Sequence, residues 1–177
     1  MAPVNEVFQS APMGRRVVLP TVFTAAFFVV SIGVNMFFTL PKMKPHTPVW
    51  KKVEATCAPF GGALVTLFFF LRQRSKVSEF KIEENELVLG SKKYPLQGVT
   101  DVYRDRGLLK GARRVWGNGG LGAITGFFRS KKLGKFHVFM TGTENAVVVR
   151  WPDKAVAVSP ADPEFFIFSA QKAAGLR

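Results

Sequence analysis

The chain is poor in the side chains that carry covalent and metal chemistry. Its 177 residues include one cysteine, Cys57, and two histidines, His46 and His137. A lone cysteine excludes an intrachain disulfide, so any folded part must stand on its apolar core. Neither histidine has a cysteine or carboxylate at ligand spacing, and no serine elbow or carboxylate pair stands out. Cys57 lies inside an apolar run, where a thiolate is disfavoured. The expectation is therefore a protein that is not an enzyme, with no catalytic residue, no metal, no cofactor and no small-molecule substrate. Acidic residues are scarce as well: 12 Asp and Glu stand against 25 Lys and Arg, a net charge of +13. Beyond Leu71 there are 19 basic and 10 acidic residues. Such a surface favours anionic partners: phospholipid headgroups, acidic protein faces or nucleic acid.

Charge is missing altogether from Val17 to Leu40. A helix of that length rises roughly 36 Å, enough for a hydrocarbon core of about 30 Å. A second apolar run, Ala55 to Leu71, would rise about 26 Å and needs its flanks or local bilayer thinning. On an insertion scale the Val, Leu, Ile and Phe residues of the two runs contribute roughly 4 to 8 and 2 to 5 kcal/mol before polar residues are subtracted. Residues 17–71 thus read as a two-helix transmembrane hairpin, and with an anchor present nucleic acid is not an expected partner. Arg15 and Arg16 resemble the start of a signal peptide, but the run is too long and Thr39-Leu40-Pro41 is no small-residue cleavage site, so retention is expected.

The tail, residues 1–16, carries Pro3 and Pro12 with no apolar period, and reads as irregular chain along the membrane surface. The connection Pro41 to Glu54 holds Lys42, Lys44, Lys51, Lys52 and three prolines, the pattern of a stiff non-helical turn, with Trp50 as an interfacial anchor. Arg15, Arg16, Arg72, Arg74, Lys76 and Lys81 flank the outer ends of the hairpin, which favours both termini in the cytoplasm and an inner-membrane location. Within the spans, Asn35 is the amide that needs a partner, and Ala58, Gly61 and Gly62 offer a close-packing surface to the chain's own first helix or to another protein.

From Ser78 the pattern changes to short alternating or β-branched segments punctuated by turns. Strands are expected at Glu79–Glu83, Glu86–Gly90, Lys92–Tyr94, Gly98–Arg104, Gly122–Arg129, Leu133–Met140, Ala146–Trp151 and Ala155–Val158. Alternation places Phe136, Val138 and Met140 on one face and Lys135, His137 and Phe139 on the other. The last segment has helical signals: Asp162 as cap, Pro163 at the first position, Glu164 in the first turn and Gly175 past the end. Its residues Phe165, Phe166, Phe168 and Ala170 cover a wide arc, so the helix is expected to pack over an open end of the sheets.

The segments Glu86-Leu-Val-Leu-Gly90, Tyr94-Pro-Leu-Gln-Gly-Val99, Gly117 to Phe128, Lys135 to Thr141 and Val156 to Phe166 together resemble the bacterial pleckstrin-homology-like domains. The resemblance covers about a hundred residues, within 72–177. It implies an all-β PH-like domain of seven strands in two bent sheets, capped by a C-terminal helix, that binds rather than catalyses. Phosphoinositide-reading members of the wider superfamily hold cations on the loop between their first two strands. Here that loop is Glu83-Glu84-Asn85-Glu86, whose carboxylates would repel a phosphoinositide, so that site is not carried over.

Gly117-Asn-Gly119-Gly-Leu-Gly122 fits the dinucleotide fingerprint in letters only. The fingerprint needs a buried strand before it and a helix after it. Lys110 to Arg114 is too charged for a central strand, and Ala123 to Phe128 reads as strand. The glycines are expected to serve bends. Around them lies a basic set: Arg104, Arg106, Lys110, Arg113 and Arg114 before the loop, and Arg129, Lys131, Lys132 and Lys135 after it, with Trp116, Phe127 and Phe128 interleaved. Converged, these would make a cationic patch with aromatic anchors, facing an acidic partner protein or anionic headgroups; dispersed, they are a solvated face. The expectation is a membrane-anchored interaction module, an accessory or scaffold subunit docking against other membrane proteins in a complex, with binding of anionic lipid on the cytoplasmic leaflet as the alternative.

Overall fold

The computed structural model describes residues 5–43, 46–75 and 77–176. Lys44, Pro45 and Lys76, which entered the turn and charge-flank expectations, and Pro3 of the tail lie outside the described residues.

Two long helices come first. Helix α1 spans Arg15–Val34, passes into a π-helical turn over Asn35–Thr39 and a 3₁₀ turn over Leu40–Lys42, and returns as α2, Val49–Ser75. Both are long and apolar enough to cross a membrane, and almost none of either apolar stretch is covered by the rest of the chain. Phe23, Phe27, Val29, Leu64 and Phe68 point outward with more than half their surface bare. A core helix of a soluble domain would bury such side chains. The connection is shorter than expected, because the chain from Val49 is already helical: Pro48 precedes the first turn, where its missing N–H costs nothing, and its carbonyl accepts from Lys51 N.

Among the described residues the β domain has ten strands in two sheets. The first sheet, in order, is β1 (Glu6–Gln9), β2 (Glu79–Glu83), β3 (Glu86–Leu89) and β4 (Lys92–Pro95), all antiparallel. The second contains β5 (Asp101–Arg104), β6 (Arg113–Gly119), β7 (Ile124–Ser130), β8 (Gly134–Met140), β9 (Val147–Arg150) and β10 (Ala155–Val158), in the spatial order β5-β9-β10-β8-β7-β6. Only β10 and β8 run parallel. Helix α3, Pro163–Ala173, follows; the Asp162 carboxylate accepts from Phe165 N at 3.0 Å, and Gly175 takes φ +72° beyond its end.

Two of these strands correct the sequence reading. The tail is not irregular: Glu6–Gln9 pairs with β2, and Ala11 N and Gly14 N donate to the Ser159 and Thr141 carbonyls. Four residues leave too little room for a period to show, so only the free edge of β2 makes them a strand. Likewise, Arg113–Gly119 is a strand despite its charge. It occupies the edge of its sheet, where arginines reach water and discourage further pairing.

Two cores flank the second sheet. Phe80, Ile82, Leu87, Leu89, Val149 and Val156 fill the space between the sheets, closed by Phe166 and Ala170 of α3. Phe136, Val138 and Met140 lie in the other core, with Ile124, Phe128 and Val17 from the root of α1. A sheet buried on both faces explains why β10, Ala-Val-Ala-Val, has no exposed residue. On α3 the apolar arc is wider than the buried stripe: Phe166 is fully buried, while Phe165 and Phe168 stay half exposed.

Candidate functional site

The β6–β7 hairpin joins the helices to the β domain, and its glycines make the joint. Gly117 and Gly126 are cross-strand partners with φ of +113° and +119°. A Cβ on Gly126 would run into the Trp116 carbonyl, and one on Gly117 into the Thr125 carbonyl. Beyond them the Asn118 side-chain oxygen accepts from Gly120 N at 3.2 Å and Leu121 N at 3.0 Å, and Gly122 N donates to Thr21 Oγ1 of α1 at 3.3 Å. A side chain at Gly122 would meet the Phe70 ring of α2 at 2.8 Å. The amides of Gly120, Leu121 and Gly122 are thus already engaged by protein groups, so they cannot cradle a pyrophosphate. Thr125 Oγ1 completes the joint, donating to Gln73 Oε1 of α2 at 3.0 Å.

The basic set divides into three. In register across the sheet, Arg113 pairs with Arg129 and Arg129 with Lys135, which makes one row of three exposed cations. Lys110, Lys131 and Lys132 gather around a second hollow of about 410 Å³ with Asp105. There Lys132 Nζ donates to Asp105 Oδ2 at 3.0 Å and lies over the Tyr103 ring. The bond to Asp105 holds the Lys132 ammonium above its ordinary range. Arg104 leaves the set: it donates to Asn145 Oδ1 at 2.9 Å and lies 3.6 Å from Glu164 of α3. Arg106 is exposed, and the Arg114 guanidinium lies against Gly119.

The aromatics separate as well. Trp116 is 77% exposed, whereas Phe128 is a core residue at 6% and cannot serve as an anchor. Strand alternation puts successive phenylalanines on opposite faces, and Phe127 takes the open one. It stacks on His137, with centroids 4.2 Å apart and planes 13° apart. Of the helix-packing residues, Gly62 faces Phe28 of α1, while Ala58 and Gly61 are exposed. No hydrogen bond to the Asn35 side chain is present among the described residues.

Behind the cationic row is a cleft that the residue pattern did not reveal. About 310 Å³ in volume, it lies between the Gly90–Lys92 turn of the first sheet and the Trp116–Phe127–His137 row of the second, with Gln73 at its end. His137 Nδ1 lies 2.7 Å from Tyr94 Oη. Burial, and then the Lys92 ammonium, push the His137 pKa down to about 4, and burial raises that of Tyr94. The sequence placed His137 on a strand but weighed it only as a metal ligand or catalyst. Its cleft partners come from β4, β6 and α2, too far along the chain for any spacing to signal.

An apolar helical hairpin rooted in a two-sheet β domain, with an α-helix closing the sheets and a cationic, aromatic face beside the root, defines a PH-like interaction domain carried on two candidate membrane spans. The chain belongs to the bacterial PH domain family: residues 79–173 match the family model described as "Bacterial PH domain". No match is found among curated proteins or among solved structures. Domains of this kind are generally non-enzymatic modules that bind proteins or lipids, and no catalytic family is indicated.

Proposed function

We propose that this chain is a membrane-anchored docking subunit. Its hairpin fixes the β domain at the cytoplasmic face of the inner membrane, and the Arg113–Arg129–Lys135 row meets an acidic surface on a neighbouring membrane protein within a larger complex. One observation carries this reading: three adjacent cations stand exposed in register, and none is paired with a carboxylate among the described residues. Four steps along β7 lead from Thr125, at the helix joint, to Arg129, which sets the row up to about 13 Å from the end of α2. A headgroup layer is roughly 5 to 7 Å deep, and at that extension the row would stand beyond it, where a partner's soluble surface would be. Residues 72–177 with the β1 segment form the docking domain in this reading.

The test is purification of the full chain in mild detergent. A stoichiometric complex with another membrane protein is expected. Reversing all three charges (Arg113→Glu, Arg129→Glu, Lys135→Glu) should weaken it by about a hundredfold, at about 1 kcal/mol per exposed contact. A monomer from the wild-type chain would overturn the proposal. A second reading, direct adhesion to anionic lipid, is favoured by exposed Trp116, which shares a hollow with Phe69 and Gln73 at the hairpin root. It predicts salt-sensitive binding to anionic bilayers with no partner present.

A further inference from the structure

The cleft behind the cationic row has the groups for a ligand of its own. Lys92 lines the cleft beside Phe127, its Nζ 5.6 Å from that ring's centroid, and Lys135, next to the lining, brings its Nζ to 4.7 Å from the same centroid. Among the described residues neither is ion-paired and no carboxylate lines the cleft. His137, 9% exposed, adds a fixed donor. The buried phenol stays protonated, so its hydroxyl, 2.7 Å from Nδ1, has a proton to give to the ring. With the phenol donating to Nδ1, the neutral imidazole carries its own proton on Nε2, which has no hydrogen-bond partner among the described residues.

Two cations and a neutral N–H donor at an acid-free opening balance a dianion. A phosphate monoester carries nearly two charges at neutral pH, while a diester carries one and would leave a lysine uncompensated. Trp116 and Phe127 offer apolar surface to whatever the phosphate is attached to, and about 310 Å³ holds a phosphate with a small organic stem. The His137 row lies two steps along β7 from Thr125, at most about 7 Å from the helix joint and so within reach of a headgroup layer. We propose that this cleft binds a phosphate monoester, its dianion held between Lys92 and Lys135 and by the Nε2–H of His137. The ester is either a lipid headgroup or a soluble molecule, with the same contacts in both cases. Lys135 belongs to both, its ammonium turned over Phe127, but Lys92 and His137 take no part in the cationic row and Arg113 and Arg129 none in the cleft, so the two roles can fail separately.

The experiment follows the histidine ring signals of the full chain in nanodiscs by NMR, with His46 in the connection as internal reference. Phosphatidic acid added to phosphatidylcholine discs should move the His137 signals and raise its titration midpoint by about 1 to 3 pH units, since a nearby anion favours the charged ring. Glycerol phosphate on pure phosphatidylcholine discs gives the same response if the source is soluble, and none if it is a lipid. Lys92→Ala should abolish the ligand-dependent change, Lys92→Arg should keep it, and Arg113→Ala should leave it intact. If neither probe moves His137, or if the Lys92→Ala chain responds as the wild type does, the proposal is overturned.

Discussion

His137 shows how one side chain takes its character from its neighbours. Its sequence position says only that it alternates with Lys135 and Phe139. Burial beside the stacked Phe127 ring, and then the Lys92 ammonium, keep it neutral, while the Tyr94 hydroxyl bonds to its Nδ1. Its pKa is about 4 when folded against an ordinary 6.5, so above pH 6.5 the ring is neutral in both states and contributes no pH dependence. As pH falls from 6.5 toward 4, the unfolded chain takes up a proton that the folded chain refuses, and stability declines by up to about 3 kcal/mol. Unfolding midpoints of the detergent-solubilised chain should fall over that window, and His137→Gln should remove this part of the slope. An identical slope in the variant would refute the assignment. Phe127 and Phe128 teach the same lesson: adjacent and chemically equal, one lines a cleft and the other fills a core.

Elements differ in how far their own residues specify them. Helix α3 was readable because its cap, first-turn proline and terminal glycine are local signals, each satisfying a backbone group of the helix itself. Which of its phenylalanines matters was not readable. Phe166→Ala should cost about 3 to 5 kcal/mol, since a fully buried ring leaves a cavity between the sheets. Phe165→Ala should cost well under half of that, because half its surface is already in water. Thermal unfolding followed by tryptophan fluorescence separates the two; equal losses would mean that α3 packs differently. Strands β1 and β6 escaped the sequence reading for opposite reasons, the first being too short for a pattern and the second too charged. Each is a strand because a neighbouring edge supplies its hydrogen bonds.

At the scale of the whole molecule, the hairpin begins and ends at the β domain. The tail is stitched to that domain through Ala11, Gly14 and Thr141, and α2 re-enters it through Gln73 and Thr125. In a membrane this geometry places the tail and the β domain on one face and the connection on the other. Single cysteines at Asn5 and Asp153, in a chain with Cys57→Ala, should react with an impermeant maleimide from the same side of oriented vesicles, and a cysteine at His46 from the opposite side. Labelling of all three from one side would show that the helices do not span.

The sequence by itself determined the apolar hairpin, most of the strands and the capped helix, because these rest on runs, periods and end signals that act over a few residues. The folded chain alone decided which cations share a row, that the glycine hairpin joins helices to sheets, and that Lys92, Phe127 and a His137 held by Tyr94 meet at one cleft. Those relations depend on strand register and on the approach of β4 to β8, residues some forty positions apart, and side-chain spacing along a chain contains no record of such meetings.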